Sequence, residues 1–497
     1  MPRASSSLHT PFFNCIKDNG IACHSGKEAV AAIETVYTKN KAALQQAVHS
    51  LGRGERDPMR TTDANYPYVG LAIGPENLNI DATKAYGLAL DPGLYGTTVT
   101  RPDLFGAYYA QQIDLLIQHH KTPIIVAESN WPMPLPFVDE QVLLSLTPET
   151  LWDLSNNIPL PDLNKVDDSI ANGTFETAPD KPNPLALFTA ERVDYSLQRL
   201  HHYCGNDPKH FQNFILLTNY QRYIDYFIQH SLENIRKDSD QNLVLPGDFV
   251  INSQTNAEEV FAEYRQMHLP QMPAYHLTRP DKNGITFVNI GVGPTNAKNI
   301  TDHLAVLRPH CWIMLGHCAG FRRSQHLGDY VLAHGYVRED HVLDNDVPLA
   351  TPIPPIAEMQ QALQEAVIDV TGLKGADIKT RMRTGTVIST MDRNWEISSE
   401  KNFERYNRSR AIALDMESAS LATNGFRFRV PYGTLLCVSD KPLHGELKLK
   451  GMATNFYKDR VKQHLQVGLK TIDILREGRV DLLHSRKLRG FNEPPFR

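Results

Sequence analysis

The chain has 497 residues, 41% of them hydrophobic and 22% charged, with a formal net charge of −5. At ~150 residues per domain that is enough chain for two or three domains and a large buried core. The mixed, slightly acidic charge excludes a general nucleic-acid binder, and the lack of any run approaching ~18 apolar residues excludes a membrane-spanning helix; a small anionic ligand held by a few local cations stays open.

Residues 1–24 carry only Arg3 as a basic residue before His9 and no apolar stretch, so they read as a flexible leader and not a signal peptide. Ser25 and Glu28 fit a capping box, and Val30, Ile33, Tyr37, Leu44, Val48 and Leu51 follow at helical spacing. Arg53–Asn65 is turn-rich. Tyr66–Ile73, Tyr95–Thr100 and Pro123–Glu128 are predicted strands. Thr100 is placed to cap a helix with Pro102 in its first turn, carrying Phe105, Tyr109, Ile113, Leu116 and Ile117 on one side. Residues 131–188 are rich in Pro, Asp and Asn and read as loops with short helices. Helical patterning returns at Glu191–Tyr203. Residues 25–205 are therefore assigned to an N-terminal α+β domain, in which no catalytic constellation stands out.

From Phe211 short apolar runs alternate with helical segments. Phe214–Asn219, Ile285–Ile290, Trp312–Leu315, Tyr330–Tyr336, Thr386–Thr390, Ala411–Asp415 and Thr434–Val438 are predicted strands. Tyr220–His230, Thr295–Leu307 and Ile356–Val370 are predicted helices, and Val461, Leu465, Leu469, Ile472 and Leu475 mark a long amphipathic one. The alternation predicts an α/β domain over residues 206–497, a central sheet flanked by helices, with ligand at the carboxyl ends of the strands. The six cysteines form no C-x-x-C pair, which fits a reducing, cytoplasmic compartment. His317, Cys318 and His326 lie close in sequence but lack a zinc-type spacing, and no metal site is expected.

Four segments at predicted strand ends carry chemistry. Asn289-Ile-Gly-Val-Gly-Pro-Thr-Asn-Ala297 passes from strand to helix, and its amides can meet an anion or a sugar; it fits neither a Rossmann nor a Walker pattern. Gly316-His-Cys-Ala-Gly320 leaves room for a planar ligand. Asp415-Met-Glu-Ser418 places carboxylates where they can accept from a ribose diol, or else simply cap a helix. In Cys437-Val-Ser-Asp-Lys-Pro442, Asp440 ends an apolar strand. Partial desolvation there favours its protonated form, a donor to a leaving group; the alternative is a turn-initiating Asp.

The order of these segments resembles the purine nucleoside phosphorylase and nucleosidase superfamily, and within it the AMP nucleosidases. The likeness extends through Thr98–Pro102, Ala190–Asp194, Thr218–Arg222, His303–Pro309 and the tail His484–Arg489 and Asn492–Arg497. It implies a phosphorylase/nucleosidase-like catalytic domain that hydrolyses AMP to adenine and ribose 5-phosphate in nucleotide salvage. Residue by residue, it implies that Asp440 serves the purine N7, with Ser439 beside it, and that Glu417 holds the ribose over Met416. Trp395 or Asn394 would stand against the base, and His317 and Cys318 would line the site. No cofactor is required for the chemistry. The resemblance also implies MgATP as an allosteric activator and phosphate as an inhibitor through the N-terminal domain, and a homo-oligomer, a hexamer.

Two departures matter. Where several phosphorylases carry an arginine for the attacking phosphate, three residues before His317, this chain has Met314, which favours water. Where some hydrolytic relatives place a glutamate in the first loop, Thr218–Arg222 has no acid, so the group serving water is unassigned. Arg222, Arg322 and Lys441 follow the loops named above and are candidates for the 5′-phosphate. The competing readings are a purine nucleoside phosphorylase using orthophosphate and a non-catalytic adenine-nucleotide sensor.

Overall fold

The computed structural model describes residues 12, 14–52, 64–138, 147, 149, 152, 159–178, 181–447, 454–478, 480, 483 and 488–497. Residues 53–63 of the turn-rich stretch expected at Arg53–Asn65, and most of the tail motif His484–Arg489, fall outside them; Asn65 instead opens a strand. The chain divides into two compact units, Met1–Gln198 with Arg489–Arg497, and Arg199–Leu488.

The first unit holds a five-stranded sheet built from β1 (Ile21–Cys23), β2 (Asn65–Ile73), β3 (Gly93–Thr98), β4 (Ile124–Pro132) and β5 (Asn183–Pro184), in the order β1-β4-β2-β3-β5. All neighbours are antiparallel except β3 and β5. The long helix Gly26–Gly52 starts on the expected cap: the Glu28 amide donates to Ser25 Oγ, and Glu28 Oε2 accepts from the His24 amide. The leader expectation is corrected for its described part. Phe12, Cys15 and Ile16 are buried against Tyr68, Ile125 and Ala127 of the sheet, and Ile21–Cys23 pairs with Ile124–Val126. Thr100 does not cap the helix Pro102–His120; that position is Arg101, at φ 44°, and Thr100 Oγ1 donates to the buried Asp194.

The tail Arg489–Arg497 belongs to this unit and not to the catalytic domain expected over 206–497. Phe496 is fully buried, and its amide donates to the Leu185 carbonyl. The Arg497 amide donates to Gln112 Oε1, and Tyr108 Oη to the Arg497 carbonyl. A buried aromatic with paired backbone groups on both sides has no gain in leaving that seat.

The second unit is built on a ten-stranded mixed sheet. Its strands are β6 (Phe214–Thr218), β7 (Asn242–Leu245), β8 (Phe249–Ile251), β9 (Ala274–Thr278), β10 (Ile285–Asn289), β11 (Cys311–Gly320), β12 (Tyr330–Glu339), β13 (Met382–Thr390), β14 (Ala413–Asp415) and β15 (Tyr432–Asp440). They run in the order β14-β13-β12-β15-β11-β6-β10-β9-β7-β8, and a further pairing of β14 with β11 closes five of them into a ring. Strands β15, β11, β6 and β10 are mutually parallel, so their carboxyl ends share one edge. Every residue of β11 is buried, as a parallel strand covered on both faces requires, which explains its continuous apolar run. The segment Gly316–Gly320, expected to follow the strand Trp312–Leu315, is instead the second half of β11. Its backbone groups are taken by β15 on one side and β14 on the other, so glycine there does not end the strand.

Helices cover both faces. The helix Thr454–Glu477 buries Val461, Leu465, Leu469 and Ile472, and Gly468 lies so close to Leu315 of β11 that a Cβ would sit 2.4 Å from its Cδ1. Among the described residues no helix is long and apolar enough to cross a membrane.

Candidate active site

Strand ends bring the chemistry together. After β14, Asp415 and Glu417 lead into the helix Ser418–Phe428. Glu417 is 1% exposed, and both its oxygens accept: Oε1 from the Gly293 amide at 2.7 Å, Oε2 from Asn219 Nδ2 at 3.1 Å. Gly293, at φ 116°, opens the helix Pro294–Leu304 after β10, and Asn219 follows β6. A side chain other than glycine is strained at that φ, so the amide can turn inward only there. One carboxylate thus ties together segments that lie 124 and 198 residues from it in sequence.

Asp415 is 4% exposed and serves the backbone. It accepts from Ser389 Oγ at 2.5 Å, from the Ser418 amide at 2.9 Å and from Ser418 Oγ. Of the two readings of this segment, Asp415 matches helix capping, and Glu417 is the carboxylate turned toward other strands. Burial pushes the Glu417 carboxyl up to about 8, with the Asp415 charge adding to it and the Gly293 and Asn219 donors opposing. Burial likewise pushes Asp415 up to about 6 against its serine donors.

Asp440 ends β15 opposite Ala319 of β11 and is half-buried. Ser439 Oγ reaches both Asp440 Oδ1 and, at 3.3 Å, the Cys318 carbonyl. The Cys318 thiol is pushed well above its ordinary range, first by burial, then by Cys437, Asp415 and Asp440. Its neighbours therefore include both the capping and the terminal carboxyl groups. Met416 is half-buried between Asp415 and Glu417.

His317 lies on β11 with the Tyr220 ring edge-on at 4.3 Å. Tyr223 Oη is 3.4 Å from its Nε2 and 2.7 Å from His464 Nδ1. His464 Nε2 faces the Leu435 carbonyl at 3.0 Å, so Nε2 carries the proton and Nδ1 accepts from the Tyr223 hydroxyl. Burial pushes His464 down to about 3, which keeps it neutral. Sequence reasoning misses Asn219, Tyr223, Ser389 and His464; the loop holding Asn219 stands out for its family likeness and for lacking an acid, not for its amide.

Other expected residues stand elsewhere. Trp395 is 4% exposed, packed with Phe321 and Tyr406 at ring distances of 6.0 and 5.9 Å, so core packing and not base stacking describes it. Asn394 is exposed. Lys441 is buried and its Nζ is 2.6 Å from Glu446 Oε1, so this expected phosphate cation is already paired. Arg322 donates to the Arg410 carbonyl at 3.0 Å, and Arg222 is exposed in the first turn of the helix Gln221–Ile235. Among the described residues, no three His, Cys, Asp or Glu side chains are grouped to hold a metal ion.

Residues 28–182 match the family described as bacterial AMP nucleoside phosphorylase N-terminus, and residues 246–472 match the phosphorylase superfamily. AMP nucleosidase of Escherichia coli (strain K12) is 46% identical over 477 residues, 95% of this chain and 98% of the relative. The chain belongs to the AMP nucleosidase family. A 5′-methylthioadenosine/S-adenosylhomocysteine nucleosidase of Desulfotalea psychrophila is 24% identical over 201 residues, covering 39% of this chain and 83% of that one. A solved AMP nucleosidase from Bacteroides thetaiotaomicron is 27% identical, with TM-score 0.42, over 58% of this chain and 99% of its own. The two matched segments of this AMP nucleosidase family member correspond to the two sheets: the first covers β2 to β4, the second β8 to β15.

Proposed function

We propose that this protein hydrolyses the N-glycosidic bond of AMP to give adenine and ribose 5-phosphate. The observation that carries the reading is the 46% identity with an AMP nucleosidase across 95% of the chain. The chemistry follows from two carboxyl groups, one ending β15 and one just after β14, on strands that both pair with β11. Asp440, protonated, donates to the purine N7 as the C1′–N9 pair moves onto the base. Help of this kind is worth roughly 10²–10⁴-fold in rate. Glu417 accepts from the ribose hydroxyls, and its hold strengthens as the sugar takes on oxocarbenium charge. Met416 packs beneath the sugar, and His317, Cys318 and Ser439 line the site. Arg222 and Arg322 are the remaining cations for the 5′-phosphate.

Water is favoured over orthophosphate because Met314 stands where an arginine would hold the attacking anion. A phosphorylase would depend strictly on orthophosphate and yield ribose 1,5-bisphosphate from AMP. The first unit is read as regulatory, with MgATP activating and phosphate inhibiting, and the assembly as a hexamer. Six buried free thiols support a reducing, cytoplasmic setting. The test is adenine release from AMP in phosphate-free buffer, with and without MgATP. Release in both the enzyme's products, adenine and ribose 5-phosphate, supports the reading; AMP recovered intact under both conditions refutes it.

A further inference from the structure

The reaction above leaves its water side without a partner, and the loop after β6 offers no acid. It does offer Asn219, held in one orientation. Its Nδ2 donates to Glu417 Oε2 at 3.1 Å, which fixes the face the amide turns to the carboxyl group. Asn219 Oδ1 therefore faces the other way, 3.6 Å from where a Cβ on Gly316 would sit. It is enclosed there, and among the described residues no donor reaches it. A buried amide oxygen without a donor forfeits the hydrogen bonds it makes in water; native proteins commonly match such a group with an ordered water or a ligand.

The surroundings fit a small neutral nucleophile. Glycine at position 316 leaves backbone beside Asn219, with Met314 Cε 2.7 Å from where a Cβ would sit. Met314 itself brings no cation to that floor. Glu417, which Asn219 also holds, is the carboxylate assigned to the ribose.

We infer that Asn219 holds the attacking water, Oδ1 accepting its hydrogen bond while Nδ2 keeps Glu417 turned to the sugar. The inference rests on the AMP-hydrolysis reading. Asn219 takes no proton. As the C1′–N9 pair moves onto adenine with the proton from Asp440, C1′ becomes electrophilic enough to take neutral water. The C1′–O bond forms, the surplus proton passes to solvent, and Asp440 is reprotonated from solvent. The amide contributes position.

The test uses the full-length protein with saturating AMP in buffer containing methanol, and measures ribose 5-phosphate against its methyl glycoside. In Asn219→Ala, kcat is expected to fall about 10- to 100-fold while KM changes less than about threefold. The methyl glycoside share is expected to rise severalfold, because the pocket no longer selects water. Asn219→Asp keeps an acceptor oxygen and is expected to restore the product ratio toward wild type, although its charge beside Glu417 lowers kcat. Thermal unfolding checks that each variant folds, and Asn219→Ser replaces alanine if alanine does not. An unchanged product ratio in the alanine or serine variant, or a loss carried by KM alone, overturns the inference. Failure of the wild type to release adenine instead overturns the AMP reading.

Discussion

Glu417 makes the folded protein sensitive to pH in a direction opposite to that of a salt-bridged acid. A free glutamate titrates near ~4.3, whereas burial and Asp415 push this one up to about 8. Between those values the folded state binds more protons than the unfolded chain. Its contribution to stability is therefore full below ~4.3 and is lost as pH rises through 8. Glu417→Gln cannot ionise, so its Tm relative to wild type is expected to climb between pH 5 and 9 by thermal unfolding, while adenine release falls. Asp440→Asn keeps a hydrogen-bond donor but no transferable proton; kcat for AMP is expected to drop by about 10²–10⁴ with Tm little changed. The strand-end positions of Glu417 and Asp440 were legible in sequence because each follows an apolar run. Asn219 was not, since its bond to Glu417 spans 198 residues and no local pattern records it. Trp395 misled because an aromatic beside a site and one in a core look alike in sequence. Lys441 misled because its partner, Glu446, is brought back by a tight bridge that local composition does not show.

At the scale of elements, seven of the ten strands of the second unit could be read, but β7, β8 and β9 and the helices Ala257–Tyr264 and Ser399–Arg408 could not. Parallel buried strands announce themselves as apolar runs, and the helices by their period. Closure of the ring could not be read, because the pairing of β14 with β11 depends on which edges meet. The extension of β11 through Gly320 was missed for the same reason. Ring packing also limits substitution at Gly425, late in the helix Ser418–Phe428. A Cβ there would lie 2.3 Å from Tyr432 Cδ1 and 2.9 Å from the Val430 carbonyl oxygen. Neither backbone nor a buried ring yields cheaply, so Gly425→Ala is expected to cost about 1–3 kcal/mol by denaturant unfolding. It is expected to leave the KM for AMP near wild type, since the strand ends lie at the helix's other terminus.

For the whole molecule, composition and texture placed a change of architecture near residue 205, and the structure divides the chain at Gln198. What texture could not convey is that Arg489–Arg497 returns to the first unit. Phe496 is 0% exposed there, seated edge-on against Tyr108 at 6.1 Å. Phe496→Ala is expected to cost about 3–5 kcal/mol. Hydrogen exchange should show lost protection in the helix Pro102–His120, with the strands of the second unit unchanged.

That returning tail also sets a timetable for synthesis. The ribosome delivers residues 199–488, 290 in all, between the bulk of the first unit and the segment that completes it. At about 5–20 residues per second the wait is roughly 15–60 s. During it the nascent chain carries an unfilled seat for Phe496. The part made first is the part finished last, and in that interval it is open to chaperones and proteases while the second unit can already fold.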